Sequence, residues 1–254
     1  MGAFFKRTLP FFILIGGIWE MLYQFHIWPP YLFPSLVRDV VPALLSGFLN
    51  RTFLIGTLVS LKRILIGYVL SLLIGIPLGL AVGRFKFLDE TVGSFIGMLQ
   101  VLPSICWLPL AILWFGLNEW AIQFVVIMGA FLPIAIATDG GIKNVPPLYL
   151  RAARTMGVRG FDLYRRVIFP AALPSILTGM KLGWSFAWRS LMAGELIFVS
   201  TGLGHLLEMG RELNDMSQVV AVISVIITLG LIVDRLLFRP VERRVHNRWG
   251  TAAL

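Results

Sequence analysis

The chain has 254 residues, 57% of them hydrophobic and only 14% charged, with a mean hydropathy of +0.84 and a formal charge of +9. So apolar a composition excludes an ordinary soluble domain. One cysteine, Cys106, and three histidines exclude an internal disulfide and a clustered Cys/His metal site. What remains is an all-α polytopic membrane protein: a helix needs about 20 apolar residues to cross the hydrocarbon layer, and backbone groups there must be paired within the segment.

Six runs are long enough to span: Leu9 to Trp28, Ile64 to Gly83, Val92 to Gly116, Trp120 to Thr138, Pro174 to Val199 and Val219 to Phe238. The first follows Lys6 and Arg7 and looks at first like a leader. No small-x-small cleavage pattern follows it and the apolar run continues to Trp28, so it reads as an uncleaved span. Glu20 interrupts it and is expected near the interface or paired with a neighbouring helix. The prolines of WPPYLFPS end this span, and VRDVVPALLSGFL repeats its apolar residues at helical spacing, which predicts a helix lying at the outer interface.

In the second span Gly67, Ser71, Gly75, Gly79 and Gly83 recur every four residues. They leave one helix face almost without side chains, so another helix can approach closely, from the same subunit or from a second copy. Pro77, and Pro103, Pro109 and Pro133 in the next two spans, predict kinks.

Between the fourth and fifth spans, residues 139–173 form a basic insert. Val145, Pro146 and Pro147 stop the fourth helix, and LYLRAARTM is a run of good helix formers ended by Gly157. Ala152 and Ala153 present little bulk, so a partner's groove can close around the backbone. Asp162 is expected to start a second short helix, with Leu163, Val167 and Ile168 toward the bundle and Arg165 and Arg166 toward water or phosphate. Pro170 and Pro174 are expected to redirect the chain into the fifth span.

That span carries Lys181, Ser185 and Arg189 on one face. Charges in a span are costly and tend to face a water-filled cavity; two copies would place four cations about a shared path, which suits a small anion. The competing expectation is that Lys181 snorkels to the interface and Arg189 pairs with Glu195 or another acid. The segment TGLGHLLEMGRELND that follows is a candidate docking surface or outer gate. Placing both termini in the cytoplasm leaves fifteen of the 22 Lys and Arg inside, which is the orientation the positive-inside rule selects. Lipid headgroups then account for the basic charge, and nucleic acid is not needed.

The insert resembles the coupling loop of ABC importer permeases, whose pattern is E-A-A-x-x-x-G, nine residues, then I-x-L-P. Ala152, Ala153, Gly157 and Pro170 fit it; Val167 and Phe169 are apolar replacements, and Arg151 stands where the family commonly has Glu. WLPLAILWFGLNEWA, VIFPAALPSILTGMKLG and AWRSLMAGEL are similar to the nitrate, sulfonate, taurine and bicarbonate branch of these permeases. The resemblance implies a type I importer permease fold of six transmembrane helices, one permease domain over 1–254 with its core at about 54–240, and a cytoplasmic coupling loop at 139–173 in which Arg151, Ala152, Ala153, Arg154, Gly157 and Pro170 meet an ATPase. It also implies an inner-membrane location, a permease dimer, a soluble substrate-binding protein outside, and ATP with Mg on the partner ATPase, with no cofactor on this chain. The absence of a G-x-x-x-x-G-K-[ST] loop agrees with an energy source elsewhere. With no HExxH and no G-x-S-x-G, an intramembrane enzyme is not expected. The alternative is an ion-gradient-driven transporter or channel for a small solute, coupled through the polar residues of the fifth helix; the basic insert would then have no purpose.

Overall fold

The computed structural model describes residues 2–29, 31–197 and 201–249, and their regular structure is helical. In chain order the helices are α1 (Gly2–Gln24), α2 (Val41–Leu49), α3 (Thr52–Arg84), α4 (Lys86–Gln100), α5 (Ser104–Phe115), α6 (Glu119–Lys143), α7 (Pro147–Thr155), α8 (Gly160–Ile197), α9 (Leu203–Glu212), α10 (Met216–Val233) and α11 (Arg239–Trp249). Among the described residues, α3, α6, α8 and the stretch Met216–Val245 are long and apolar enough to cross a membrane, and α4 with α5 makes a fifth if the pair is one span. The helix expected at the outer interface is α2, preceded by a π turn at Leu36–Val40. Val199, where the fifth span was expected to end, and Ser200 lie outside the described residues, as do the side chains of Lys6, Arg7 and Arg248.

Two expectations from the prolines need correction. The third span is not one kinked helix: α4 and α5 meet at a 102° bend. Proline disfavours the α conformation in the residue before it and donates no hydrogen bond, so the helix stops ahead of Pro103, while Pro109 is taken up in the first turn of the helical segment Leu108–Phe115. Conversely, Pro170 and Pro174 do not redirect the chain, because α8 runs through both. A π turn at Tyr164–Ile168 comes just before Pro170, and similar wide turns precede Pro42 and Pro240. In each, the residue before the proline donates to the carbonyl five positions back, as Phe169 does to Tyr164. The wider turn makes room for a ring that would otherwise strike the preceding carbonyl.

The chain divides into two compact units, Met1–Ser60 with Glu195–Gly230 and Leu61–Gly194 with Leu231–Leu254. In the first, Glu20 accepts from the Ser35 hydroxyl at 2.8 Å and from the Leu36 N–H at 3.2 Å, and Trp19 stacks on Phe33 while donating to the Pro34 carbonyl. The segment after α1 is thereby tied back onto α1. A second polar centre is wholly buried: both Glu195 carboxylate oxygens accept from the Ser60 hydroxyl, at 2.8 and 2.7 Å, and one also accepts from the Gly204 N–H at 2.9 Å. Ser60 in turn accepts from the Leu203 N–H.

The second unit is organised on α6. The small-residue stripe of α3 lies along it: a side chain on Gly67 would meet Val126 and Gln123, one on Gly75 the Phe131 carbonyl and Ile134, one on Gly79 Ala135 and Thr138, and one on Gly83 Ile142. The Ser71 hydroxyl, wholly buried, donates to the Gly67 carbonyl. The stripe thus serves packing within one chain. From α8, Gly179 and Gly183 approach α6 at Pro133, Ile134 and Ala130. With backbones this close on two sides, α6 buries residues from Ala121 to Ile142.

Candidate functional site

The insert is built for rigidity. Pro147 at the first position fixes the entry of α7, and its end is closed by paired bonds, Val158 N–H to the Ala153 carbonyl at 2.9 Å and Gly157 N–H to the Arg154 carbonyl at 3.0 Å. This is a Schellman closure, and Gly157 takes the left-handed φ of +82° that it requires. The two alanines differ in role: Ala153 is buried against the protein, whereas Ala152 is exposed together with Arg151 and Arg154. Around them Leu148, Met156 and Phe161 are 70%, 82% and 77% exposed, large apolar side chains that water does not favour.

α8 starts at Gly160, two residues before Asp162, so that Asp162 lies in its first turn rather than capping it, and pairs with Arg166 at 3.3 Å. Leu163 is buried, Arg165 and Arg166 are exposed, and Pro170 is half-buried within α8. The Tyr164 hydroxyl donates to the Leu80 carbonyl at 3.0 Å, and the Arg84 guanidinium lies over its ring. Those contacts fasten the root of the insert to the C-terminal end of α3.

Of the residues assigned to a pathway, Lys181 Nζ is 2.9 Å from Asp234 and 3.3 Å from Glu242, so it joins α8 to the stretch around α11; Arg239 shares Asp234 at 3.0 Å. Ser185 is exposed and donates to the Lys181 carbonyl. Arg189 is exposed, with its guanidinium carbon 5.2 Å from the centre of the Phe186 ring. Glu195, the acid considered for Arg189, is held by Ser60 and Gly204. Arg63, placed outside by the charge count, is 5% exposed and ion-paired with Glu119 at the start of α6. Spacing alone marked neither this pair nor the Ser60–Glu195 centre, whose partners are far apart in the chain. Among the described residues no group of three or more His, Cys, Asp or Glu could hold a metal ion.

Residues 71–247 match the family described as the binding-protein-dependent transport system inner membrane component. The chain belongs to this family. It is a multi-pass membrane permease of a binding-protein-dependent ABC transport system, a subunit type that is not itself an enzyme. The permease is 36% identical to a Methanocaldococcus jannaschii protein named as an ABC transporter permease, over 91% of this chain and 86% of that one. It is 32% identical to the taurine transport system permease protein of Escherichia coli, over 79% and 72% of the two chains, and 26% identical to the nitrate import permease protein of Synechocystis, over 79% and 75%. Among solved structures, a chain of the MetNI methionine ABC transporter in inward-facing conformations superposes with a TM-score of 0.63, covering 73% of this permease and 92% of that chain at 19% identity, a likeness of fold.

Proposed function

We propose that this permease pairs with a second copy and with two cytoplasmic ATPase subunits to import a small oxyanion, of the nitrate, bicarbonate, sulfonate or taurine kind, handed over by a substrate-binding protein. The observation that carries the coupling role is the α7 surface. A short helix held at both ends exposes Ala152, Arg151, Arg154, Leu148 and Met156, beside Phe161 at the root of a 38-residue helix. A rigid projection of this kind transmits displacement instead of absorbing it. In this reading ATP with Mg sits on the partner, the termini and α7 face the cytoplasm, and ATP-driven approach of the two ATPases shifts the bundle between inward and outward openings. Arg151, in the place of a common Glu, meets an acidic or neutral patch on the ATPase, not a basic one.

For cargo, the taurine and nitrate of the relatives' names support an oxyanion, and the exposed cation Arg189 with Ser185 on the same face of α8 supplies a surface that would receive one. Lys181, already held by two carboxylates, contributes more to holding α11 than to the path. The test is uptake by proteoliposomes carrying the permease, its ATPase and its binding protein. Vanadate-sensitive uptake that needs ATP is expected, and uptake that follows an imposed ion gradient without ATP overturns the reading.

A further inference from the structure

Between Arg63 and Arg84, α3 carries no charged residue. The twenty positions 64–83 make about 30 Å of helix, the thickness of a hydrocarbon layer, so Arg84 stands where the apolar layer ends. A groove of about 370 Å³ opens at that level, within the size range of small-molecule sites. Its walls are Leu80, Ala81, Arg84 and Phe85 from the end of α3, and Phe161 and Tyr164 from the start of α8. Leu80 comes four residues before Arg84, about 6 Å along the helix axis, and so lies within the apolar layer.

Five of the six walls are carbon surface. Phe85 and Phe161 are 57% and 77% exposed, and the Tyr164 hydroxyl is already engaged by the Leu80 carbonyl at 3.0 Å. The sixth wall is a cation. Arg84 is exposed, its guanidinium carbon 5.8 Å from the centre of the Tyr164 ring, and among the described residues it pairs with no carboxylate. The acids close by in sequence are matched elsewhere, Asp162 with Arg166 at 3.3 Å and Glu90 with Lys86 at 3.6 Å. Arg165, next to Tyr164 in the chain, is exposed as well. An apolar trough with a guanidinium at its mouth complements an amphipathic anion. A water-soluble partner meets a membrane at its headgroups and does not reach down to Leu80 and Ala81, whereas an acyl chain does. Its phosphate is then level with Arg84, whose planar donors suit phosphate oxygens. In the orientation selected by the charge count this end of α3 is cytoplasmic, the side on which anionic lipid attracts basic residues.

We infer that the groove binds an anionic glycerophospholipid, with Arg84 on its phosphate and the upper part of an acyl chain between Phe85, Phe161 and Tyr164. The inference needs the membrane placement of α3, and neither the cargo nor the ATPase proposed at α7. A lipid so placed becomes part of the joint between α3 and the insert, since Tyr164 and Arg84 are the contacts that make it.

The transporter, assembled with its ATPase in proteoliposomes, is photolabelled with phosphatidylglycerol carrying a diazirine high on one acyl chain, and in parallel with phosphatidylcholine carrying the same group. Label is located by peptide mass and expressed as a share of all label on the permease. Label on residues 80–85 and 161–164 is expected to be severalfold higher from phosphatidylglycerol. Arg84→Gln is expected to remove that preference, and Phe161→Ala to lower the label from both probes; both side chains are exposed, so the variants are expected to fold. Unlabelled phosphatidylglycerol is expected to compete severalfold and inorganic phosphate not at all. Equal shares from the two lipids in the unmutated transporter overturn the site, and so does a preference that survives Arg84→Gln. Displacement by phosphate alone assigns Arg84 to a soluble anion and overturns the lipid. Absence of label from these residues, the result if the ATPase or a second permease copy fills the groove, overturns it too.

Discussion

Glu195 has two buried oxygens to satisfy, and the chain meets that demand with the Ser60 hydroxyl and the N–H at the start of α9. Gly202 completes the arrangement, since a Cβ there would come within 2.6 Å of the carboxylate. Gly202→Ala is therefore expected to cost about 1–3 kcal/mol by overpacking. Glu195→Gln is expected to cost a similar amount, about 1–3 kcal/mol, because its new NH2 would face donors. Thermal unfolding in detergent measures both, and an unchanged midpoint for Glu195→Gln would show that the carboxylate is dispensable. Single residues of this kind were the least legible in the sequence. An acid within AWRSLMAGEL declares itself only as an unfavourable charge in an apolar run, and its partner Ser60 is 135 positions away. On α7 the paired alanines were visible, but which one is buried depends on how the helix docks.

At the scale of elements, the helices themselves were readable from apolar run length, and the ends of α7 from Pro147 and Gly157. What could not be read was how a proline behaves. Pro103 breaks a span whereas Pro170, Pro174, Pro77 and Pro133 lie inside helices, because the outcome is decided by neighbouring backbone and by whether a π turn can widen ahead of the ring. The stripe on α3 was legible as a packing face but not by partner, since a bare face fits a second copy as well as α6. Its closeness gives a graded prediction. Gly75→Ala would press a methyl to 2.9 Å from the Phe131 carbonyl, a backbone atom that cannot swing aside, and is expected to destabilise by about 1–3 kcal/mol. Gly140→Ala, on the facing helix with nothing within 4 Å, is expected to be neutral or to stabilise by up to about 1 kcal/mol through reduced backbone freedom. Equal melting midpoints for the two variants would mean that α3 and α6 do not approach as described.

At the scale of the whole molecule, the family and the broad role followed from the insert and the positive charge distribution, while the corner at Pro103 and the ionic cluster around Asp234 needed the fold. That cluster separates two possible duties of Lys181. A double-mutant cycle with Lys181→Met and Asp234→Asn is expected to show a coupling of about 0.5 kcal/mol or more in thermal unfolding, since the groups are in contact. If anchoring is the whole of its duty, uptake per folded transporter falls to a similar extent in both single variants. A selective loss in Lys181→Met alone would return that cation to the path.

The sheathing of α6 by glycine faces on two sides has a mechanical corollary. Helices locked backbone to backbone have no room to swivel, so the segments 61–84 of α3, α6 and 169–194 of α8 form the stator of the second unit, and motion during a transport cycle falls to what is less tightly clasped. The pair α4 and α5 buries Ile96, Leu108 and Ala111 but leaves its three-residue joint, Val101 to Pro103, exposed: amide hydrogen exchange is expected to be slowest along α6 and fastest to respond to nucleotide at the Pro103 bend.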